Sequence, residues 1–365
     1  MVLLLDETVL VTGSCGFIGP YVIEELLTRG YGVRATDLAT ADFSRVEPLG
    51  CEIVTADLSR KDQAASVMTG VDMVVHTAAR MNFYLDRESY LLANYHVTVN
   101  TCEAAAEAGV RRFVHFSSCD TYGPPERSPV GEDHRQKPIN LYGITKLFGE
   151  RAALRAWREH GLPVSVIRPT AVYGPDCVYI MGLFLAVPVM IRELGVRKVP
   201  LPKKGFVANM VHVRDIAGAA VHVMEREEAV GEAYNVSDDS SMCVGELVET
   251  ILDSIGVASA RVLPVPDLFV SIIARLGMHL PSRFFFRLNE YLQRAWDRVV
   301  IEHGLVPALS PRFDPGFAAF GRGDYDFDNS RLKALGYRLR YPEFSEGWNA
   351  SVRWYEERGW IPPLS

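Results

Sequence analysis

Short apolar runs alternate with helical patterns along the first half of the chain. An apolar run at residues 9–11 leads into three spaced glycines, and residues 21–27 then carry apolar side chains at helical spacing. Five more apolar runs follow, and they cover residues 31–37, 51–56, 71–79, 113–116 and 164–168. Helical patterns between them include residues 91–108 and a segment that opens at Tyr142. This alternation is typical of a parallel sheet covered on both faces, so we predict an α/β fold with a Rossmann doubly wound sheet.

The first turn has the spacing Gly13-x-x-Gly16-x-x-Gly19. After a strand and before a helix, such a turn lets a dinucleotide pyrophosphate lie on the helix N-terminus, where free N–H groups and the helix dipole favour negative charge. An ordinary turn is the alternative, because the glycine spacing alone has low specificity. The cofactor-binding residues predicted in this loop are Gly13, Cys15, Gly16, Phe17, Ile18 and Gly19.

Asp37 ends the second strand, about 20 residues past the glycines. A carboxylate there accepts hydrogen bonds from the ribose hydroxyls of NAD and repels the extra phosphate of NADP. The alternative is a turn residue at the end of a strand. We expect NAD, with NADP less favoured.

Other candidate residues also follow predicted strands. Because ligands of parallel sheets bind beyond the carboxyl ends of the strands, we expect these residues to line the same site. The further predicted cofactor contacts are Asp57, Leu58, Ala78, Ala79, Arg80 and, on the helical pattern at 91–108, Asn94.

Tyr142 and Lys146 are four residues apart on a predicted helix, so they share one face of it. A nearby cation favours the phenolate, so Lys146 is expected to lower the pKa of Tyr142 from its usual value of about 10. Tyr142 then acts as a general acid or base on a hydroxyl or carbonyl, and Lys146 also bonds the nicotinamide ribose. A pair with this spacing is common on surface helices, and only its context in a nucleotide-binding sheet favours the catalytic interpretation.

These motifs together resemble an extended short-chain dehydrogenase/reductase, the branch that contains nucleotide-sugar epimerases and dehydratases and the 3β-hydroxysteroid dehydrogenases. The resemblance covers nearly the whole chain. It is carried by the glycine loop, Asp37, the serine segment 117–123, Tyr142 with Lys146, the segment 168–175, and the later landmarks 211–217, 234–236 and 325–330.

The resemblance implies roles and boundaries that the residues alone do not give. Ser118, four positions before Tyr122, matches the catalytic serine, and Pro169 and Ala171 are expected near the nicotinamide. The NAD-binding domain is expected at 1–172 plus 211–240. A smaller, mostly helical substrate-binding portion is expected at 173–210 plus 241–365. A homodimer through the helices around 94–108 and Tyr142 is a further expectation.

Departures from the family pattern bear on the substrate. Nucleotide-sugar enzymes usually place an asparagine and an arginine where this chain has Ala171 and Ala208, and alanine cannot hydrogen-bond a diphosphate through its side chain. Arg322 is a candidate replacement cation, although its spacing to Asp324 differs from the family pattern. Dehydratases carry an acid pair after the catalytic residue, whereas this chain has Cys119-Asp120; Asp120 is equally well explained as a capping or turn residue.

The lower half of the chain is rich in apolar segments, at 181–191, 264–281 and 281–292. They either build the core of the smaller portion or form a cavity or lid for an apolar substrate, approached from a membrane surface or an acyl carrier. The pattern leans towards the sterol-dehydrogenase branch.

Composition sets limits on the partners. The net charge of −7 argues against a nucleic-acid binder. Six scattered cysteines favour a reduced, cytoplasmic protein, and no apolar run reaches the roughly 20 residues of a membrane span. His76, His115, His212 and His222 lack metal-ligand spacing, so no metal is expected.

The sequence thus predicts an NAD-dependent oxidoreductase that interconverts a secondary alcohol and a ketone on a largely apolar small molecule, with Ser118, Tyr142 and Lys146 as catalytic residues. Two alternatives stay open. One is a nucleotide-sugar 4-epimerase with tightly bound NAD, and the other is a non-catalytic dinucleotide-sensing scaffold.

Overall fold

A parallel sheet lies at the centre of the computed structural model, which describes residues 6–82, 85–263, 281–313 and 323–364. Within these residues the sheet has seven strands. They are β1 (Thr8–Thr12), β2 (Gly32–Asp37), β3 (Glu52–Thr55), β4 (Met73–His76), β5 (Arg112–Phe116), β6 (Val164–Pro169) and, from later in the chain, β11 (Ala233–Val236). Their spatial order is β11-β6-β5-β4-β1-β2-β3, with every neighbouring pair parallel.

The strand register brings the carboxyl ends of the central strands to one edge. Thr12 pairs with Thr36 on one side and His76 on the other, and His76 pairs with His115. The glycine loop and the segments after β2, β4 and β5 therefore emerge together.

Helices cover both faces of the sheet, as expected from strands that are apolar on both sides. The helices are α1 (Gly19–Thr28), α2 (Lys61–Val67), α3 (Arg87–Leu91), α4 (Val97–Glu107), α5 (Leu141–His160), α6 (Ile180–Phe184), α7 (Ala186–Glu193), α8 (Val213–Met224), α9 (Val244–Asp253), α10 (Ser282–His303), α11 (Ser330–Ala334) and α12 (Phe344–Glu357). Val9 and Val11 pack in one cluster with α1 and α8, while Leu10 packs in another with α2, α4 and α5. Successive strand residues point to opposite faces, so the doubly wound prediction is confirmed.

A separate apolar cluster forms the core of the smaller portion, which is mostly helical. It buries Tyr173, Met181, Trp296, Trp348 and Tyr355. Short two-strand ladders accompany the helices: β7 (Ala171–Tyr173) with β10 (Met210–His212), β8 (Lys198–Pro202) with β13 (Ala258–Leu263), and β9 (Val207–Ala208) with β12 (Met242–Cys243).

The apolar segments in the second half of the chain differ in how far they are buried. Segment 181–191 lies largely in α6 and α7 and contributes Met181, Ala186 and Val189 to the core. On α10, Phe285 is buried, but its neighbours Phe284 and Phe286 are 46% and 58% exposed. Residues 264–280 lie outside the described residues.

The helix predicted over 91–108 is corrected in two respects. Helical structure begins earlier, at Arg87, and a π-helical turn (Leu92–His96) separates α3 from α4. Among the helices of the described ranges, none combines the length and apolarity that a bilayer crossing requires.

Candidate active site

The glycine loop connects β1 to α1 by a backbone path that side chains would block. Gly13 has a φ of 67°, and a Cβ added there would lie 2.7 Å from the Cα of Ala78. A Cβ on Gly19 would lie 2.6 Å from the carbonyl oxygen of Gly13. No side chain of the described residues caps the N-terminus of α1 at Ile18. The loop and helix end therefore fit the pyrophosphate of a dinucleotide, with backbone N–H groups as donors.

Asp37 lies directly against this loop. Its Oδ2 accepts a hydrogen bond from the backbone N–H of Cys15 at 2.9 Å, and its Oδ1 accepts one from the N–H of Leu38 at 2.8 Å. The half-buried Phe17 packs against both the sheet core and the cluster of the smaller portion. The carboxylate is thus held next to the glycine turn, at the edge where a ribose would lie.

The segments after β3 and β4 border the same edge. Asp57 accepts hydrogen bonds at Oδ1 from the N–H and hydroxyl of Ser59, at 3.0 and 2.7 Å, and Leu58 is buried. The N–H of Ala78 points to Thr12 Oγ1 at 3.4 Å, whereas Ala79 is exposed.

The π-helical turn places Asn94 against the loop after β4. Asn94 is buried, its Oδ1 accepts from the N–H of Arg80 at 2.7 Å, and its Nδ2 donates to the Arg80 carbonyl at 3.0 Å. The same Nδ2 lies 3.1 Å from Thr145 Oγ1 on α5. Asn94 therefore fastens the Arg80 loop to the helix that carries Tyr142.

Ser118 and Tyr142 meet beyond the end of β5. Ser118 hydrogen-bonds the phenol of the half-buried Tyr142. Ser118 Oγ also accepts from the N–H of Asp120 at 3.1 Å, so it caps the short 3-10 turn Cys119–Thr121. A hydroxyl and a phenol in contact at the ligand edge can together bind one oxygen atom of a substrate.

Lys146 lies one turn after Tyr142 and is 3% exposed. Its Nζ donates a hydrogen bond to the carbonyl oxygen of Phe116, at the end of β5. Burial lowers the pKa of Lys146 to about 8, although the Glu150 carboxylate favours the charged form.

The expected lowering of the Tyr142 pKa is corrected by the structure. Burial raises the pKa of this phenol and the Asp120 carboxylate raises it further, while the hydrogen bond to Ser118 acts in the opposite direction. Desolvation outweighs the attraction that the sequence suggested, since the Lys146 ammonium is directed at a backbone carbonyl.

A buried ion pair that the sequence did not reveal supports this site. Glu150, two turns after Tyr142, accepts two hydrogen bonds from Arg168 at the end of β6, at 2.6 and 3.0 Å. Ser117 and Gln136 also donate to this carboxylate, at 2.5 and 2.9 Å. One side chain therefore connects β5, α5 and β6. The four-residue spacing of Tyr142, Lys146 and Glu150 is the only sequence signal for this ion pair, and it does not identify the partners of Glu150.

The positions that would face a diphosphate are apolar and packed. Ala171 is half-buried against the cluster of the smaller portion, next to the buried Pro169. Ala208 pairs with Met242 and packs against the cluster of Tyr122, Tyr325 and Phe327. Asp324 accepts a hydrogen bond from the N–H of Val207 at 2.8 Å, and Arg322 lies outside the described residues.

The four histidines lie in the packed interior. His76 and His115 stack with ring centroids 5.7 Å apart on adjacent strands, and burial lowers the pKa of both. His212 ends β10 and His222 lies in α8. Across the residues that the structure describes, no group of three or more His, Cys, Asp or Glu side chains is arranged to hold a metal ion.

Comparisons with known proteins find relatives over most of the chain. The family model described as NAD dependent epimerase/dehydratase family matches residues 9–237, more than half of the chain. Bovine sterol-4-alpha-carboxylate 3-dehydrogenase (decarboxylating) is 28% identical over 264 residues, which cover 69% of this chain and 70% of that protein. Dihydroflavonol 4-reductase of Zea mays is 26% identical over 379 residues and covers 97% of this chain and 90% of its own length.

A solved structure confirms the fold. The UDP-glucose 4-epimerase of Thermotoga maritima, crystallised with UDP-glucose, superposes with a TM-score of 0.70 at 21% identity. The alignment covers 96% of this chain and 99% of the epimerase.

Proposed function

This chain belongs to the NAD-dependent epimerase/dehydratase family, and from that premise we propose that it is an NAD-dependent oxidoreductase that interconverts a secondary alcohol and a ketone on a largely apolar substrate. The observation that carries the proposal is the contact between Ser118 and Tyr142, with Lys146 one turn further along α5. These groups lie at the carboxyl edge of the sheet, where the glycine loop fits a dinucleotide.

Each side chain has a distinct role in the proposed reaction. Ser118 hydrogen-bonds the reacting oxygen of the substrate, and Tyr142 transfers the proton to or from it. Lys146 bonds the nicotinamide ribose. The bound cofactor supplies or accepts the hydride.

The glycine loop, Asp37 and the Asn94 contacts support the cofactor assignment. Backbone N–H groups at the start of α1 hold the pyrophosphate, and Asp37 accepts from the adenosine ribose, which disfavours the extra phosphate of NADP. Asp57, Leu58, Ala78, Ala79 and Arg80 border the adenosine half of the cofactor. Pro169 and Ala171 lie at the nicotinamide end.

The apolar character of the substrate is supported by the residues around its expected position. Ala171 and Ala208 offer a diphosphate neither a side-chain donor nor a cation. Ala171 and Phe17 pack against an apolar cluster that includes Tyr173 and Met181. Such surroundings favour a hydrophobic molecule over a strongly hydrated one.

A nucleotide-sugar 4-epimerase is the second candidate, because the same three catalytic residues serve it and a solved epimerase shares the fold. To distinguish the two functions, the protein is assayed with ketosteroids and β-keto acyl compounds in the presence of NADH. It is assayed separately with UDP- and dTDP-sugars in the presence of NAD. We expect NADH oxidation and a raised Tm with the apolar ketones. Interconversion of a UDP-sugar, with no turnover of any ketone, would favour the epimerase.

We also propose a homodimer formed through α4, α5 and the π-helical turn. Leu92 is 50% exposed and Phe148 36% exposed, and the Tyr95 ring lies 6.2 Å from that of Phe148. An apolar surface shared by these helices suits a second copy of the same chain. Light scattering should give twice the chain mass, and Phe148→Glu should give the monomer.

A further inference from the structure

The long helix α10 (Ser282–His303) packs against the core through one side only. Its buried side chains recur at helical spacing and are Phe285, Trp296 and Val299, with Leu292 partly buried between them. Trp296 and Val299 belong to the apolar cluster of the smaller portion. The opposite side of the helix is exposed along most of its length. Packing within this chain therefore does not explain which residues that exposed side carries.

Arginines run along the exposed side of α10. They are Arg283, Arg287, Arg294 and Arg298, and their spacings of four, seven and four residues place them on one face. Glu290 pairs with Arg294, and Asp297 accepts a hydrogen bond from Gln293 at 2.8 Å. Within the part of the chain that the structure describes, no carboxylate lies within salt-bridge distance of the other three arginines. This side of α10 therefore keeps an excess of positive charge, although the net charge of the chain is −7.

Exposed aromatic rings border these arginines. Phe284, Phe286 and Tyr291 are 46%, 58% and 72% exposed. Phe284 and Tyr291 lie along one edge of the arginine row, because they are seven residues apart, and Phe286 lies along the other edge. One exposed ring is common on a protein surface, but three rings beside uncompensated cations mark an interaction site. We call the four arginines and these three rings the outer face of α10.

The outer face of α10 combines the two features that an anionic lipid surface attracts. Guanidinium groups bind the phosphate oxygens of lipid headgroups, and aromatic side chains favour the headgroup layer. We propose that this face docks the protein onto a membrane surface rich in anionic phospholipid, whatever reaction the active site catalyses. The net charge of −7 repels the rest of the chain from such a surface, so the outer face determines the orientation of the bound protein.

Vesicle sedimentation with the full-length chain tests the docking. One set of vesicles is phosphatidylcholine alone, and the other is an equal mixture of phosphatidylcholine and phosphatidylserine. We expect binding to the mixed vesicles only, and we expect it to weaken as salt is added, because salt screens the attraction between arginines and headgroups. Equal binding to both sets, or no binding to the mixed vesicles at low salt, would overturn the proposal.

The arginines are tested by the triple variant Arg283→Gln/Arg287→Gln/Arg298→Gln. It should bind the mixed vesicles about a hundredfold more weakly, since each arginine near an anionic surface contributes a factor of about five. Its Tm should stay that of the wild type, because the three side chains are exposed. Wild-type affinity in this variant would contradict the proposal.

The matched control is Arg135→Gln/Arg158→Gln/Arg338→Gln, which changes the net charge by the same amount. These arginines are also exposed, and they come from three separate places in the chain. The control should bind the mixed vesicles as the wild type does. An equal loss of affinity in both triple variants would mean that only the net charge matters, and the assignment to α10 would fail.

The rings distinguish a lipid surface from an acidic protein. Phe284→Ser/Tyr291→Ser keeps every arginine and should weaken binding to the mixed vesicles at least about tenfold, because two rings no longer leave water. Polyglutamate serves as a soluble acidic chain without a bilayer, and we expect it to bind the wild type more weakly than the mixed vesicles do. Unchanged vesicle affinity in the ring variant, or polyglutamate binding as tight as vesicle binding, would assign the face to an acidic protein and overturn the proposal.

Discussion

Arg168 holds the Glu150 carboxylate in a two-pronged pair, with Nη2 2.6 Å from Oε1 and Nε 3.0 Å from Oε2. Both side chains are almost fully buried. Arg168 also donates to the hydroxyl of Tyr122 at 2.6 Å, and Ser117 donates to Glu150. Ser117 precedes Ser118, so this pair fixes the relative positions of the strand end and the helix that meet at the candidate site.

Glu150→Ala should lower the free energy of unfolding by about 3–5 kcal/mol, because it leaves the Arg168 guanidinium buried without its partner charge. Urea denaturation measures the change. Glu103→Ala is the control, since Glu103 bonds Lys61 at 2.7 Å on the surface and should cost no more than about 1 kcal/mol. Equal losses of unfolding free energy in the two variants would show that the buried ion pair stabilises the fold no more than the surface pair does.

Gly13→Ala should weaken NAD binding at least about tenfold and destabilise the chain, because the new Cβ would meet the Ala78 backbone at 2.7 Å. Gly50→Ala is the control that separates the steric clash of a new Cβ from the strain of a positive φ. Gly50 has a φ of 73°, close to the 67° of Gly13, but nothing lies within 4 Å of its added Cβ. Gly50→Ala should lower the free energy of unfolding by about 1–2 kcal/mol, from backbone strain alone, and leave the NAD affinity intact. Calorimetric titration with NAD measures the NAD affinity of both variants. An equal loss of affinity in Gly13→Ala and Gly50→Ala would refute the steric argument.

The elements that the sequence predicted well are those specified by neighbouring residues. The turn from residue 13 to residue 19 follows from glycine spacing between an apolar run and a helical pattern, and the shared helical face of Tyr142 and Lys146 follows from their four-residue spacing. Both depend on local geometry, which one strand or one helix determines by itself.

The features that the sequence did not reveal depend on contacts between distant segments. Glu150 and Arg168 are 18 residues apart on different elements, and the π-helical turn that aims Asn94 at Arg80 has no periodic signature. The pKa of Tyr142 was predicted in the wrong direction because burial and Asp120 act on it only after α5 packs against the 3-10 turn.

Tyr142→Phe should reduce turnover by a factor of about 10²–10⁴, the usual contribution of a positioned acid or base, while NAD affinity changes little. Steady-state rates with NADH and the reactive ketone give the first quantity, and fluorescence titration gives the second. Tyr95→Phe is the control, since it removes a phenol hydroxyl from the helical segment before α4. A Tyr142→Phe enzyme with more than about a hundredth of the wild-type rate would exclude Tyr142 as the proton donor.

The burial of Lys146 should make the stability of the protein depend on pH in the alkaline range. Its pKa is about 8 in the folded chain and about 10.4 when unfolded, so between these values the unfolded state binds more protons. Stability therefore rises with pH across this window, as the cost of burying a charged ammonium disappears. The rise from this group is about 3 kcal/mol.

Lys146→Met isolates that contribution, because every other titrating group is common to both proteins. Urea unfolding at intervals from pH 7 to pH 10 should give curves for wild type and variant that converge as the pH rises, with the variant relatively more stable at pH 7. Buried phenols such as Tyr142 have raised pKa values and act in the opposite sense only near and above pH 10, so they do not produce this convergence. Parallel curves would mean that Lys146 keeps its ordinary pKa in the folded protein. The ammonium would then be fully charged at neutral pH, and the site would have to stabilise that charge by more than the contact with Phe116 and the field of Glu150.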